Sequence, residues 1–332
     1  MAQKLLVTGG CGFIGSTFVR RWLAGHPDDD VRNLDALTYA AAPGTVAELR
    51  RHRHHKLVQG DIADPKKAAA AAKGVDAVVH FAAQSHVDRS IRDPNPFVRT
   101  NVLGTQVLLE AARRADVPRF HHVSTDEVFG ELPLRPRRRR FDEDSPYRPR
   151  SPYAASKAAS DHLVRAWGAT YGLRFTITNG GNNYGPYQSP EKAVPRFITN
   201  LIDGKRVPVY GKGKNVRDWL HVEDYCRAIE LVLRKGKNGR TYCVSADEQL
   251  DNLGLARRIA TAFGRGEDAI EFVKDRQGHD LRYALDASRI RRELGWRPRW
   301  TISEGLKATI QWYRDHEAWW RPLKRRAEAI YR

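Results

Sequence analysis

The segment Gly9-Gly10-Cys11-Gly12-Phe13-Ile14-Gly15 constrains this chain more than any other. It follows an apolar run, Lys4 to Val7, and opens an amphipathic stretch, Phe13 to Leu23, with apolar residues at Phe13, Phe18, Val19 and Leu23. A strand that turns into a helix through glycines lets its backbone approach a ligand closely. The helix start then offers free N–H groups and a positive dipole end to a pyrophosphate. Asp35 ends a second apolar run, Val31 to Leu34, twenty residues after Gly15. A carboxylate there accepts from both hydroxyls of a ribose and repels a 2′-phosphate, so the pattern predicts NAD rather than NADP.

The first half continues the alternation. Leu57-Val58, Val75 to Phe81 and Phe120 to Ser124 read as further strands, and Thr100 to Arg114 as a helix. Strands alternating with helices predict an α/β fold with a doubly wound parallel sheet covered on both faces. Lys67 to Lys73 is alanine-rich and favours helix. Near Tyr184 glycine and proline become frequent (Gly180, Gly181, Gly185, Pro186, Pro190, Pro195), and short mixed elements follow. The expected division is a cofactor domain over 1–181 and a smaller, interleaved substrate domain over 182–332, with 221–245 packing back on the first.

Two segments carry chemistry. Tyr153 and Lys157, in Ser151-Pro152-Tyr153-Ala154-Ala155-Ser156-Lys157, lie four apart on one helical face. The ammonium is expected to favour the phenolate, bring the Tyr153 pKa towards neutrality and make it a general base. Ser124 or Thr125 would be its hydroxyl partner. Ser124-Thr125-Asp126-Glu127-Val128-Phe129-Gly130 places two adjacent carboxyls at a strand's carboxyl end, where ligands bind in such sheets. An elimination needs a base for a C–H proton and an acid for a leaving hydroxyl. Neighbouring carboxyls oppose each other's ionisation, so one stays protonated.

The glycine spacing GxxGxxG resembles the extended short-chain dehydrogenase/reductase superfamily, with its Rossmann-like sheet and smaller C-terminal α/β part. Further segments make the resemblance closer: LDALTYA (34–40), HFAAQSHVDRS (80–90), TNVLGT (100–105), STDEVFG (124–130), SPYAASK (151–157), NNYGPYQSPEK (182–192), VRDWLHVEDY (216–225), GHDLRYALD (278–286) and WYRDHEAWWRPLK (312–324). Together they resemble the dTDP-glucose 4,6-dehydratase family in its actinobacterial form, over nearly the whole chain. The resemblance implies a lyase of deoxysugar biosynthesis that acts on dTDP-glucose. It oxidises C4, eliminates water across C5 and C6, returns hydride to C6, and keeps NAD as a catalytic cofactor. It implies Tyr153 as base at O4 with Lys157 beside it, Thr125 at O4, Glu127 as base at C5 and Asp126 as acid at the C6 hydroxyl. Cofactor positions implied are Gly9, Gly12, Phe13, Ile14, Gly15, Asp35, Ala36, Leu37, Thr38, Asp61, Ile62, Phe81, Ala82, Ala83, Ser85, Thr100 and Asn183, with Tyr153 and Lys157. Substrate positions implied are Ser85, Thr125, Asn182, Lys192, Ala193, Arg217 and Asn252, Pro208-Val209-Tyr210 along the base, and Asp275-Arg276-Gln277-Gly278-His279. Lys192 and Arg217 suit a diphosphate, the arginine through its bidentate fork.

The sequence departs from the family where Gly180-Gly181 replaces a usual Cys-Ser pair, and this is expected to loosen packing at the nicotinamide. Gln84 stands for a usual Glu. Tyr39-Ala40-Ala41-Ala42 and Cys243-Val244-Ser245-Ala246 replace the common Tyr-Ala-Gly-Asn and Asn-Ile-Gly-Gly. The helices from Thr100 and from Tyr153 carry apolar stripes, the latter Ala159, Leu163, Ala166 and Trp167. In the family such helices pair as a four-helix dimer interface, so a homodimer is expected.

Composition narrows the remainder. The net charge is +18, scattered apart from Arg137-Arg138-Arg139-Arg140, which precedes acidic Asp142-Glu143-Asp144 and reads as a surface loop. With no recognised nucleic-acid module, no nucleic-acid partner is expected. The cysteines, Cys11, Cys226 and Cys243, are odd in number and form no CxxC pair, which argues against disulfides and zinc. His52, His54 and His55 lack metal-ligand spacing, and no metal is expected. No leader pattern and no bilayer-length apolar run are read, so the expectation is a cytoplasmic protein without membrane association.

Overall fold

Each glycine-marked or polar break in the first half does end a strand. The computed structural model describes residues 2–275 and 277–330, so Arg276 lies outside the described residues. Among the described residues twelve strands form: β1 Lys4–Thr8, β2 Asp30–Asp35, β3 His55–Gln59, β4 Ala77–His80, β5 Phe120–Thr125, β6 Phe175–Gly180, β7 Asn182–Tyr184, β8 Val207–Tyr210, β9 Val216–His221, β10 Arg240–Val244, β11 Gln249–Asp251 and β12 Ile270–Val273. Seven of them make one sheet in the order β10-β6-β5-β4-β1-β2-β3, and every neighbouring pair is parallel. The Rossmann-like parallel sheet inferred from the alternation is therefore present. Its order reverses between β1 and β4, which opens a crevice at the strands' carboxyl ends.

Both sheet faces are covered, so interior strands such as β4 (Ala-Val-Val-His) are buried throughout. On one face, helices Phe13–Gly25 and Val222–Lys235 pack around Val19, Trp22, Ile229 and Val232. On the other, helices Pro65–Ala72, Thr105–Arg114 and Pro152–Tyr171 bury Ala68, Leu108, Val164 and Phe120. The alanine-rich helix starts on Asp64, whose carboxylate accepts from the amides of Lys66 and Lys67. The helix read over Thr100 to Arg114 begins as a π-helical turn, Val98–Gly104, and continues as α-helix over Thr105–Arg114.

The second half builds a three-stranded sheet, β11-β9-β7, and a parallel pair, β12-β8. A separate core forms there from Phe197, Ile198, Leu255, Ile259, Leu306 and Trp320. The chain re-enters the large sheet through β10 and the helix before it. It returns once more after residue 286, which the sequence reading does not anticipate: Ala287, Ile290 and Trp296 bury themselves in the first core.

The arginine-rich loop has a structural organiser. Arg282 is wholly buried and donates to the carbonyls of Pro133 (2.8 Å), Arg137 (3.3 Å) and Arg139 (2.8 Å). All three cysteines are buried and free. Among the described residues, no group of acidic, histidine or cysteine side chains is arranged to hold a metal, and no helix is long and apolar enough to cross a membrane.

Candidate active site

The glycine turn is built as its sequence implies. Gly9 has φ +70°, and a Cβ on it would lie 2.7 Å from the backbone of Ala82. A Cβ on Gly15 would come within 2.3 Å of the Gly9 carbonyl. Only glycine allows the turn, the first helix and the loop after β4 to close up this tightly. Asp35 ends β2 with Oδ2 accepting from the Cys11 amide and Oδ1 from the Leu37 amide, each at 2.8 Å. Burial still pushes its carboxyl above the ordinary range.

These elements line a cavity of about 720 Å³ above the crevice. Its walls include Gly9, Gly12, Phe13, Ile14, Gly15, Asp35, Ala36, Thr38, Asp61, Ile62, Phe81, Ala82, Ala83, Ser85, Thr100 and Asn183. Leu37 is not on the wall: its side chain packs on the first core. A second cavity of about 450 Å³ adjoins the first, sharing Ser85, Glu127, Asn182 and Lys192. It is lined by Ala193, Pro208, Val209, Tyr210, Arg217, Asn252 and His279. Asp275, Gln277 and Gly278 lie off its wall, and Asp275 pairs with His279 Nδ1 at 2.8 Å. The arginine fork expected to grip a diphosphate already holds backbone. Arg217 donates to the carbonyls of Val216 (2.9 Å) and Asp280 (3.0 Å) and lies over the Tyr283 ring.

The acid pair sits where the cavities meet. Thr125 ends β5 and caps the 3₁₀ turn Asp126–Phe129: its hydroxyl accepts from the Glu127 amide (3.3 Å) and donates to Asp126 Oδ1 (3.2 Å). Asp126 is 2 % exposed, and its Oδ2 is buried without a hydrogen-bond partner. Burial, together with the charges of Glu127 and Asp218, pushes its carboxyl well above the usual carboxylate range. Burial therefore favours the protonated form of Asp126. Oδ1 atoms of Asn182 and Asn183 are likewise buried and unpartnered on the cavity wall.

Tyr153 and Lys157 project from helix Pro152–Tyr171, which Ser151 caps by accepting from the Ala154 amide at 3.0 Å. The Thr125 side chain faces the Tyr153 phenol and favours its ionised form. Ser124 instead donates to Asp161 Oδ2 at 2.9 Å, which leaves Thr125 as the hydroxyl beside Tyr153. The expected lowering of the Tyr153 pKa is not found. Burial, followed by the negative charge of Glu127, pushes the phenol well above its ordinary value. Lys157 is engaged elsewhere, donating to the Val123 carbonyl at 2.9 Å, and burial pushes its ammonium down to about 8.

The two glycines at 180 and 181 do not loosen the site. A Cβ on Gly180 would lie 2.5 Å from Cζ of Tyr225, and one on Gly181 would lie 2.9 Å from the Asp218 carbonyl. The Tyr225 ring fills this space and lines the cavity, so glycine at 180 accommodates a large neighbour. Other site residues escape the sequence reading. Asn101 ties the loop after β4 to the Tyr153 helix: it accepts from the Gln84 amide (2.8 Å) and donates to Ser156 Oγ (2.8 Å). Its signal was the TNVLGT segment. Asp161, one turn beyond Lys157, gathers Ser124, Tyr147 and His122. Trp319 and Leu323 reach the cofactor lobe from the C-terminal helix; they fall in the WYRDHEAWWRPLK segment, which carried the resemblance but no assigned role.

A doubly wound sheet with this glycine turn, a Tyr/Lys pair on one helix and a buried acid pair between two cavities defines a short-chain dehydrogenase/reductase of the extended, two-part kind, equipped for elimination. The chain belongs to the GDP-mannose 4,6-dehydratase family, whose model matches residues 6–309. It is 52% identical to the dTDP-glucose 4,6-dehydratase of Mycobacterium tuberculosis, covering 99% of this chain and 98% of that one. It is 44% identical to the Escherichia coli enzyme of the same description over 96% of this chain and 95% of that one. Among solved structures it matches DesIV, a dTDP-glucose 4,6-dehydratase from Streptomyces venezuelae with NAD and TYD bound, at TM-score 0.93 and 50% identity, covering 96% and 99% of the two chains.

Proposed function

We infer that this protein is an NAD-dependent dTDP-glucose 4,6-dehydratase, forming dTDP-4-keto-6-deoxyglucose for deoxysugar biosynthesis. The observation that carries the reading is Asp126, buried beside Glu127 with its carboxyl pushed well above the carboxylate range, at the junction of a cofactor-sized and a sugar-nucleotide-sized cavity. Epimerisation alone has no use for such a pair.

The first cavity fits NAD: the turn at Gly9, Gly12 and Gly15 for the pyrophosphate, Asp35 for the adenosine ribose, Asp61 and Ile62 towards adenine, Lys157 and Asn183 on the nicotinamide side. NAD bound there supplies the hydride acceptor for C4 and the hydride that returns to C6. The protein's own groups move the protons. Tyr153, with Thr125 facing its hydroxyl, takes the O4 proton as C4 becomes a carbonyl. Burial and Glu127 favour the neutral phenol of Tyr153, so a positive charge beside it would favour its phenolate. The C4 carbonyl acidifies C5–H, and Glu127 removes that proton. Asp126, in the protonated form that burial favours, donates to the departing C6 hydroxyl, which leaves as water. Lys192, Asn252 and the β8 segment Pro208–Tyr210 hold the nucleotide in the second cavity, with Arg217, its fork on the Val216 and Asp280 carbonyls, in the wall beside it.

The domain division follows the same reading: 1–181 holds cofactor and 182–332 holds substrate, with 221–245 returning to the first. A homodimer through helices Val98–Arg114 and Pro152–Tyr171 is supported by apolar side chains left exposed there, Val98 (56%), Leu103 (46%) and Tyr171 (53%). A soluble, cytoplasmic enzyme fits the absence of a long apolar helix among the described residues. Incubation with dTDP-glucose tests the assignment. Mass spectrometry should show loss of one water, with one solvent deuteron incorporated at C5 in deuterium oxide. Unchanged sugar nucleotide, from protein shown to hold NAD, overturns it.

A further inference from the structure

The reaction imposes a demand that its proton-transfer groups do not meet. Hydride taken from C4 must return to C6 of the same sugar, so reduced cofactor that escapes in mid-cycle strands the intermediate. Something must keep the cofactor in place while the sugar reacts, and the outer wall of the cofactor lobe shows what does.

That wall comes from the far end of the chain. Trp319, on helix Glu317–Ile330, lines the cavity opposite the segment that follows β2. Its Nε1 donates to Thr45 Oγ1 at 3.2 Å, across 274 residues of sequence. A Cβ on Gly44 would already lie 3.0 Å from Trp319 Cδ1, so the indole rests directly on the start of helix Pro43–Arg50. Tyr187 lies beside it on the strap between β7 and Lys192, with φ +66°. Its ring packs edge-on to Trp319 at 5.7 Å and carries the Arg20 guanidinium at 3.7 Å. Arg20 belongs to the glycine-turn helix. Further along the strap, Glu191 is 7% exposed in its side chain and pairs with Arg89 (2.8 Å) and His86 (3.4 Å). Lys192 donates to the Ser85 carbonyl at 3.0 Å.

The strap and the C-terminal helix thus cross the mouth of the cofactor lobe and are fastened to the cofactor half at separate points. Each fastening is a ring contact, a cation–π contact, an ion pair or one hydrogen bond. Such contacts are individually weak and collectively slow to open. Trp319 also packs on the second core, so its fastening ties that core to the cofactor half.

We propose that Trp319 and Tyr187, with the strap ion pair of Glu191, form a latch that sets the rate at which NAD leaves, so that one cofactor serves successive turnovers. The latch rests on the NAD-dependent reading above, and its test needs no sugar. NAD bound to purified wild type and to Trp319→Ala, Tyr187→Ala and Glu191→Gln is exchanged against excess labelled NAD, and the release rate is read from retained label after rapid desalting. Release at least tenfold faster in Trp319→Ala and Tyr187→Ala is expected, with a smaller rise for Glu191→Gln. Dilute Trp319→Ala enzyme should then need added NAD for sustained turnover. Release within twofold of wild type in both aromatic variants overturns the latch, as does wild-type protein that exchanges NAD within seconds. Thermal unfolding reports whether the variants fold. If they do not, Arg20→Gln, which removes an outer cation from the Tyr187 ring, is read in the same assay: faster release supports the latch and unchanged release overturns it. Failure to dehydrate dTDP-glucose in wild type, with slow exchange intact, would instead overturn the assigned reaction and leave the latch standing.

Discussion

Asp126→Asn separates catalysis from stability at one atom. Asparagine keeps the shape of the neutral acid and its contact with Thr125, but has no proton to give the leaving hydroxyl. Positioned general acids contribute roughly 10²–10⁴-fold in rate, or about 3–5 kcal/mol of barrier. Elimination should slow by that factor, while C4 oxidation, which uses Tyr153, should change by less than about threefold. Reduced nicotinamide should then accumulate in a single turnover, visible by its near-ultraviolet absorbance, with 4-keto-glucose still carrying its C6 oxygen. Stability should move the other way. The folded carboxyl is held well above its unfolded value. Its contribution is therefore fully present below the unfolded pKa of about 4 and lost as pH rises through the folded pKa. The uncharged amide escapes that loss, so the variant should melt higher than wild type at neutral pH, and the gap should shrink towards pH 4. Equal loss of oxidation and elimination would refute the role of acid, and a lower melting temperature at neutral pH would refute the picture of a buried, destabilised carboxyl.

Tyr153→Phe should remove oxidation itself, with no reduced nicotinamide formed on mixing with dTDP-glucose and a loss of at least about 10²-fold in turnover; rapid formation of reduced nicotinamide would contradict the base assignment. Gly180→Ala should destabilise by about 1–3 kcal/mol, because the new Cβ meets the Tyr225 ring 2.5 Å away; a melting temperature equal to wild type would show that the ring yields freely. Acid should destabilise the fold between pH 6.5 and 4. Burial holds the His122 imidazole down at about 4 and the His121 imidazole at about 3, so the unfolded chain takes up protons first. His122 alone then forfeits about 3 kcal/mol across that window. Asp126 acts in the opposite sense, so the test uses Asp126→Asn: denaturant midpoints that stay constant from pH 7 to 4.5 in that variant would argue against neutral buried histidines.

The glycine turn, Asp35, the Tyr153/Lys157 spacing and the Asp126/Glu127 pair were all legible, because each is a local pattern whose chemistry depends on neighbours a few residues away. The parallel sheet was legible for the same reason: alternating strands and helices leave few ways to bury both faces. Ionisation was not. Lys157 sits on the same helical face as Tyr153, yet its ammonium is committed to the Val123 carbonyl, and burial with Glu127 raises the phenol instead. Electrostatic sign at a buried group is a sum over everything packed around it, and spacing along one helix supplies a single part of that sum. Gly180 misled likewise, since nothing near it in sequence announces that Tyr225, from another helix, fills its missing side chain.

The amino-acid order by itself determined the sheet and the cofactor class and put forward the candidate proton-transfer groups, since the first two follow from backbone freedom and periodicity and the last from functional-group chemistry and family resemblance. Tertiary structure alone decided which carboxyl is buried and pushed up, which hydroxyl is tied to Asp161 instead of facing Tyr153, and that Trp319 would line a cavity built by residues some three hundred positions earlier. Those depend on distance and desolvation between segments that meet only when the chain has folded.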